Sequence, residues 1–93
     1  MFSEFFKRLK YGYPIGGGYR CSSPARGEIV LYVGGNEFSV FIETMVDNSI
    51  VVYKMPEGLK FIGKDELVDV NTWEEGVQRL VAHFRSIGKK VEY

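Results

Sequence analysis

The sequence has few of the residues that build disulfides and metal centres. Its 93 residues include one cysteine, Cys21, and one histidine, His83. A lone cysteine cannot form a disulfide within the chain. One cysteine and one histidine also supply two ligands where a structural zinc site uses about four. We therefore predict no disulfide scaffold, no metal site and no cofactor.

Long apolar runs and an excess of one charge are also missing. No stretch approaches the roughly 18 apolar residues of a membrane-spanning helix, and charged residues interrupt the N-terminus before a signal peptide could form. Twelve basic and twelve acidic side chains cancel, so no global field draws the chain toward nucleic acid or membranes. These absences predict a cytoplasmic protein without a transmembrane segment.

The first eleven residues carry the pattern of a short amphipathic helix. Ser3 can cap its N-terminus and Gly12 can end it. Large apolar residues recur at the i, i+3, i+4 and i+7 spacing of one helix stripe, namely Phe2, Phe5, Phe6 and Leu9. A helix of this length is marginal in isolation, so we expect its apolar stripe to dock on another surface.

Residues 12–27, GYPIGGGYRCSSPARG, predict an irregular loop. Five glycines and two prolines in sixteen residues argue against a helix or a long central strand. Gly16, Gly17 and Gly18 do not indicate a phosphate-binding loop, because such a loop needs a strand before it and a helix after it. Here the predicted order is the reverse, so the glycines are interpreted as a connector.

The hydrophobic period changes to two from residue 28 to residue 62. Runs rich in Val, Ile, Phe and Tyr alternate with glycine- and asparagine-containing turns, which is typical of strands joined by hairpins. The predicted strands are Glu28–Val33, Glu37–Glu43, Ile50–Met55 and, as an optional fourth, Leu59–Ile62. Phe41 breaks the polar face of the second strand. The pattern predicts an antiparallel meander of three or four strands.

A second amphipathic helix is predicted at residues 72–88. Thr72 and Glu75 fit a capping box, and Gly88 stands where a C-terminal glycine cap belongs. Its apolar stripe consists of Trp73, Val77, Leu80, Val81, Phe84 and Ile87. We expect this stripe to cover one face of the sheet, with Phe84→Ala costing about 3–5 kcal/mol. The whole chain is thus predicted to be a single α+β domain.

No constellation of residues predicts catalysis. His83 falls at the edge of the second helix stripe, and nothing in the sequence brings it to Cys21 as a nucleophile and base would require. Asp65, Glu66 and Asp69 lack the spacing of a calcium loop and are interpreted as a solvated acidic turn. We predict that the protein is not an enzyme.

Two kinds of binding fit the remaining features. The preferred prediction is a homodimeric protein-interaction module that associates through Phe2, Phe5, Phe6 and Leu9, with another protein as the second choice of partner. The alternative is nucleic-acid binding, because tyrosines can stack on bases and basic side chains can contact phosphates. The candidate contacts for that alternative are Lys7, Arg8, Lys10, Tyr13, Tyr19, Arg20 and Arg26.

Overall fold

In the computed structural model, which describes residues 12–93, one helix packs against a six-stranded sheet. The elements in chain order are β1 (Tyr13–Gly16), β2 (Tyr19–Ala25), β3 (Glu28–Val33), β4 (Asn36–Thr44), β5 (Ile50–Val52), α1 (Val70–Ser86) and β6 (Val91–Glu92). The α+β class predicted from the sequence is confirmed. The helix predicted within residues 1–11 lies outside the described residues.

The sheet is larger than the predicted meander and is not purely antiparallel. The strands follow one another in the order β1 to β6, and the first five pair antiparallel. β6 pairs parallel to β5, with α1 as the crossover that a parallel pair requires. The prediction of three or four strands is therefore wrong. The optional strand Leu59–Ile62 is reduced to an isolated bridge between Lys60 and Leu67.

The predicted loop at residues 12–27 is instead a β-hairpin that leads into β3. Gly16, the last residue of β1, has positive φ, as do Gly17 and Gly18, which form the turn between β1 and β2. Pro14 lies on the edge strand, where a missing N–H is tolerated, and Pro24 lies where the pairing of β2 with β3 shifts register. The glycines and prolines thus occupy a turn, an edge and an irregularity, so they do not prevent the strands from pairing.

The two faces of the sheet differ, and α1 lies on the first. Cys21, Leu31 and Phe38 are cross-strand neighbours that point to this face. They contact a cluster that includes Val77, Leu80 and the rest of the core. The segment between β5 and α1 packs on the same side, since Phe61 and Val68 belong to that cluster and the half-buried Met55 and Leu59 pack against it. One apolar layer therefore fills the space between the sheet and α1.

Helix α1 begins two residues earlier than predicted. Its N-cap is Asp69, whose carboxylate accepts hydrogen bonds from the backbone N–H of Thr72 at 3.0 Å and from its hydroxyl at 2.7 Å. Thr72 is thus a partner of the cap rather than the cap itself. The predicted apolar stripe is confirmed at Trp73, Val77, Leu80 and Val81, all buried, but Phe84 is half-buried and Ile87 is exposed. Gly88, with φ 85°, follows the helix as predicted.

Both edges of the sheet are short. β1 contains a proline and β6 is two residues long. Short edges of this kind protect a sheet against pairing with another chain, so the faces are the larger surfaces available for contact. Among the helices of the described segment, none is long and apolar enough to cross a membrane.

Candidate interaction surface on the second sheet face

The second face of the sheet is a mixture of acidic, aromatic and small side chains. Arg20, Tyr32 and Glu37 form one cross-strand row on this face, because Arg20 pairs with Tyr32 and Tyr32 pairs with Glu37. The next row contains Ser22, Val30 and Ser39, followed by Glu28 paired with Phe41. Three glutamates on β3 and β4, counting Glu43, give this face an acidic character.

Two aromatic residues lie side by side at the β4–β5 end of this face. The backbone N–H of Tyr53 donates to the carbonyl oxygen of Phe41 at 2.9 Å, which places the two residues opposite each other. Phe41 is 41% exposed and Tyr53 is 47% exposed. Beside them Glu43 pairs with Val51, and Val51 pairs with Glu92. We call the surface formed by Phe41, Glu43, Val51, Tyr53 and Glu92 the aromatic patch.

The orientation of Tyr53 is fixed by a hydrogen bond on the surface. Its hydroxyl donates to Oε2 of Glu43 at 2.5 Å. Because this bond holds the proton on the phenol, it raises the pKa of Tyr53 above its ordinary value. The ring is thereby held against the strand, so less side-chain entropy is lost when a partner packs on it.

The turn between β4 and β5 extends the aromatic patch. Met45 and Val46 are both exposed there. Asp47 accepts hydrogen bonds from the hydroxyl of Ser49 at 2.6 Å and from its backbone N–H at 3.1 Å, and these bonds lower the pKa of Asp47. A shallow cavity of about 430 Å³ joins this turn to the patch and is lined by Met45, Val46, Asp47, Ser49, Val51 and Glu92.

The electrostatic character of the patch and its turn is acidic. Glu43, Glu92 and Asp47 carry negative charge, and Lys90 is close enough to Asp47 to lower its pKa further. Exposed aromatic rings beside acidic side chains suit a partner that offers both apolar and basic side chains.

The centre of the second face differs from the aromatic patch. Val30 is 6% exposed and Ser39 is 9% exposed, although α1 lies on the other side of the sheet. Ser39 donates its hydroxyl proton to Oε2 of Glu28 at 2.7 Å. Val30 does not belong to the core cluster beneath α1. The second face is thus divided into a buried centre and an exposed aromatic patch.

A larger cavity, of about 550 Å³, lies at the opposite end of the second face. It is lined by Gly18, Arg20, Tyr32, Val33, Gly34, Gly35, Asn36 and Glu37. Arg20 donates from Nη2 to the carbonyl oxygen of Gly12 at 3.5 Å, and within residues 12–93 its buried Nε has no hydrogen-bond partner. The guanidinium is therefore directed toward the start of β1.

The residues predicted to contact nucleic acid do not form one surface. Tyr19 is 4% exposed and its hydroxyl donates to the carbonyl oxygen of Thr72 at 3.1 Å, so its ring is part of the core. Tyr13 is on the first face, 5.4 Å from the ring of His83 between centroids, whereas Arg20 is on the second. Arg26 lies in the β2–β3 turn. Lys7, Arg8 and Lys10, like the predicted interface of Phe2, Phe5, Phe6 and Leu9, lie outside the described residues.

Three of the side chains considered for catalysis or metal binding are partly buried, paired with another side chain, or used to cap a helix. Burial raises the pKa of the Cys21 thiol, which keeps it protonated and makes it a poor nucleophile at neutral pH. Asp65 pairs with Lys60 at 2.6 Å, and Asp69 caps α1. Over residues 12–93 no group of three or more His, Cys, Asp or Glu side chains is arranged to hold a metal ion.

The glycines of the β1–β2 turn make room for a side chain of α1. A Cβ atom on Gly17 would lie 2.2 Å from Cζ of Arg79, whose Nη2 donates to Glu75 Oε1 at 3.3 Å. The guanidinium thus rests directly on the backbone of the turn. The glycine at position 17 is accounted for by its φ of 61°, which L side chains rarely adopt, since the end of the Arg79 side chain could move aside.

Comparisons of the chain with protein-family models, curated proteins and solved structures found no match. The aromatic patch was missed at the level of sequence, although one signal pointed to it. Phe41 stands among polar side chains on its face of β4, and this break in the polar pattern is the one that the sequence shows.

Proposed function

We propose that this chain is a small, non-enzymatic protein-interaction module that binds its partner through the aromatic patch. The partner is a protein segment that carries apolar side chains together with lysine or arginine. The observation that carries this proposal is the pair Phe41 and Tyr53, adjacent on one face and 41% and 47% exposed, beside Glu43 and Glu92.

The energetics of the patch support a modest, charge-assisted contact. Aromatic side chains are enriched at the centres of protein interfaces, where they contribute much of the binding free energy. The acidic side chains lie at the edge of the rings, where they raise the association rate and select against acidic partners. A surface of a few exposed side chains fits the smaller, transient class of interface rather than an obligate one.

A second copy of the chain is less suited to this surface than a basic partner. In a two-fold dimer the same patch is used by both subunits, so the acidic side chains of one patch would lie near those of the other. Like charges brought together in this way are destabilising. The homodimer predicted from the sequence stays a prediction, which light scattering over a range of protein concentrations would test.

The proposal is tested by binding of the full chain to a labelled amphipathic helical peptide of leucine and lysine, followed by fluorescence anisotropy. A peptide with glutamate in place of lysine serves as the matched ligand control. We expect binding of the lysine peptide, weakening as salt approaches about 0.15 M because charge contacts are screened. The double variant Phe41→Ser, Tyr53→Ser should bind at least about tenfold more weakly.

The matched protein control is Leu67→Ser with Ile87→Ser. These two residues are 61% and 58% exposed and lie elsewhere on the surface. The control variant should bind the lysine peptide as the parent does. Equal binding of the two peptides, or an equal loss in the two variants, would reject the aromatic patch. Direct binding of a labelled single-stranded oligonucleotide to the chain, measured without the peptide, would instead favour the nucleic-acid alternative.

A further inference from the structure

The cavity beside the β3–β4 turn has a basic and an acidic side chain on opposite walls. Arg20, Tyr32 and Glu37 follow one another across β2, β3 and β4 on the second face. All three line this cavity, whose volume is about 550 Å³. Pockets that bind small molecules have volumes of about 300–1,000 Å³. The cavity is therefore large enough for a small ligand, and it shares no lining residue with the aromatic patch.

The side chain of Tyr32 leans toward β2 and leaves space in front of β4. Its hydroxyl shares a hydrogen bond of 3.0 Å with Oγ of Ser22, which lies on β2 two positions from Arg20. Glu37 lies on the other side of Tyr32, because it is the partner of Tyr32 on β4. The ring therefore forms the floor of the cavity without filling the space beside Glu37.

The charges of Arg20 and Glu37 stay apart across this floor. Nη2 of Arg20 donates to the carbonyl oxygen of Gly12 at 3.5 Å, on the side of β2 that faces away from β4. Two strand spacings separate the backbones of β2 and β4 by about 10 Å. Within residues 12–93 these two side chains form no ion pair with each other. The cavity thus presents a positive group and a negative group at a distance from each other.

The acidic wall of the cavity is held in place from the β5–α1 segment. The backbone N–H of Ile62 donates to the carbonyl oxygen of Glu37 at 2.8 Å, and Nζ of Lys64 donates to Oδ1 of Asn36. At the β3–β4 turn, a Cβ atom on Gly34 or Gly35 would meet no atom within 4 Å. The wall is fixed while the turn leaves an open entrance, and a preformed site loses less entropy when it binds.

We propose that this cavity binds a small zwitterion of the size of a dipeptide. The carboxylate of the ligand accepts hydrogen bonds from the guanidinium of Arg20, and its ammonium group donates to Glu37. Its apolar part packs on the ring of Tyr32. Contacts of a guanidinium with a carboxylate are among the strong hydrogen bonds of proteins. A dianion would be repelled by Glu37 and a polyamine by Arg20, so the two walls together select a ligand that carries both charges.

The distance between the walls sets the length of the ligand. Each charge-assisted hydrogen bond takes up about 2.8 Å, so a gap of about 10 Å leaves about 4 Å or more between the charged groups of the ligand. A free α-amino acid carries both groups on one carbon and is too short. An extended dipeptide covers about 7 Å, which also reaches a guanidinium directed toward Gly12.

Nuclear magnetic resonance of the full chain tests this binding with leucyl-leucine as the probe. We expect saturable shifts of the amide signals of Gly18, Gly34 and Gly35, with a Kd of about 1 mM or tighter. The signals of Gly27 and Gly88, which lie in other turns, should not move. Shifts absent from the three cavity glycines up to about 10 mM ligand would overturn the proposal.

Blocked forms of the probe test each charge of the ligand. Acetylation removes the ammonium group and amidation removes the carboxylate, so each blocked form should bind at least about tenfold more weakly than leucyl-leucine. In Glu37→Gln, leucyl-leucine and its acetylated form should bind equally, because the partner of the ammonium group is gone. In Arg20→Gln, leucyl-leucine and its amide should bind equally. Equal binding of all three forms to the parent chain would overturn the proposal.

Matched controls separate the cavity from a general loss of charge. Glu74→Gln and Arg85→Gln remove charges that are exposed on α1, and both variants should bind leucyl-leucine as the parent does. An equal loss in the controls and in the cavity variants would contradict the proposed contacts. Circular dichroism verifies that each variant is folded. Should Arg20→Gln not fold, Arg20→Lys keeps the positive charge and should still prefer leucyl-leucine to its amide, whereas equal binding would contradict the role of Arg20.

Discussion

The two faces of the sheet use the same strands for different purposes. The first face presents Leu31, Phe38 and Val40, all fully buried or nearly so beneath α1. The second face alternates with it residue by residue, yet holds glutamates, serines and two exposed aromatic rings. The side chains of the first face are uniformly apolar, and this uniformity marks it as part of the core. We propose a contact surface on the second face because Phe41 is an exposed aromatic residue on a strand face that is otherwise polar.

The largest expected effect on stability comes from a substitution that removes apolar packing between the first face and α1. Leu80 is 0% exposed at the centre of the core cluster, so Leu80→Ala should lower the free energy of unfolding by about 2–5 kcal/mol. The half-buried Phe84 lies at the rim of the cluster, so Phe84→Ala should cost less than Leu80→Ala and less than the value of about 3–5 kcal/mol predicted from the sequence. Urea denaturation of both variants measures the difference, and an equal cost would contradict the placement of Phe84.

The close approach of Gly12 to β2, at the edge of the sheet, can be tested against Gly63, a glycine without such a contact. Gly12 and Gly63 share a φ of 75°, but a Cβ on Gly63 meets nothing within 4 Å, while one on Gly12 meets the Cys21 backbone. Gly63→Ala should therefore cost about 1–2 kcal/mol for the left-handed conformation alone. Gly12→Ala should cost more, because a backbone contact must also move. Thermal melts of the two variants measure the difference in stability. Equal costs would contradict the close approach of Gly12 to the Cys21 backbone.

The aromatic patch should separate binding from stability. Phe41 is 41% exposed and lies outside the core cluster, so Phe41→Ser should change the free energy of unfolding by less than about 1 kcal/mol. The same substitution should weaken binding of the lysine peptide. A large loss of stability, measured by urea denaturation, would mean that the ring belongs to the folded core rather than to a binding surface.

The smallest expected effect is a pH dependence at the start of α1. The hydrogen bonds from Thr72 lower the pKa of Asp69, so the carboxylate stabilises the folded state above the unfolded pKa of about 3.9. That contribution is lost as the pH falls through the lower folded value. Asp69→Ala should therefore lower the melting temperature near neutral pH but not at the acidic end of the titration. A gap that is constant with pH would contradict the role of the charge, and Asp69→Asn is the control that cannot titrate.

Part of the candidate surface could be read from the sequence and part could not. The irregular position of Phe41 was visible in the alternation of β4, and the acidic character of residues 27–78 was visible in their composition. The sequence did not show that Phe41 contacts Tyr53, or that Tyr19 is buried beneath Thr72. These contacts join distant parts of the chain, and local pattern carries no information about which distant residues meet.

The sequence by itself determined the α+β class, the β3–β4 hairpin and a C-terminal helix with Gly88 after its last turn. These features depend on hydrophobic period and turn residues, which act over a few neighbouring positions. The tertiary structure decided the rest. Residues 12–27 form strands because β3 offers a partner for β2, β6 exists because α1 returns the chain beside β5, and Gly76 lies where a Cβ would be 2.8 Å from Leu31. Strand pairing and close packing depend on which distant residues become neighbours in space, and the local sequence does not specify them.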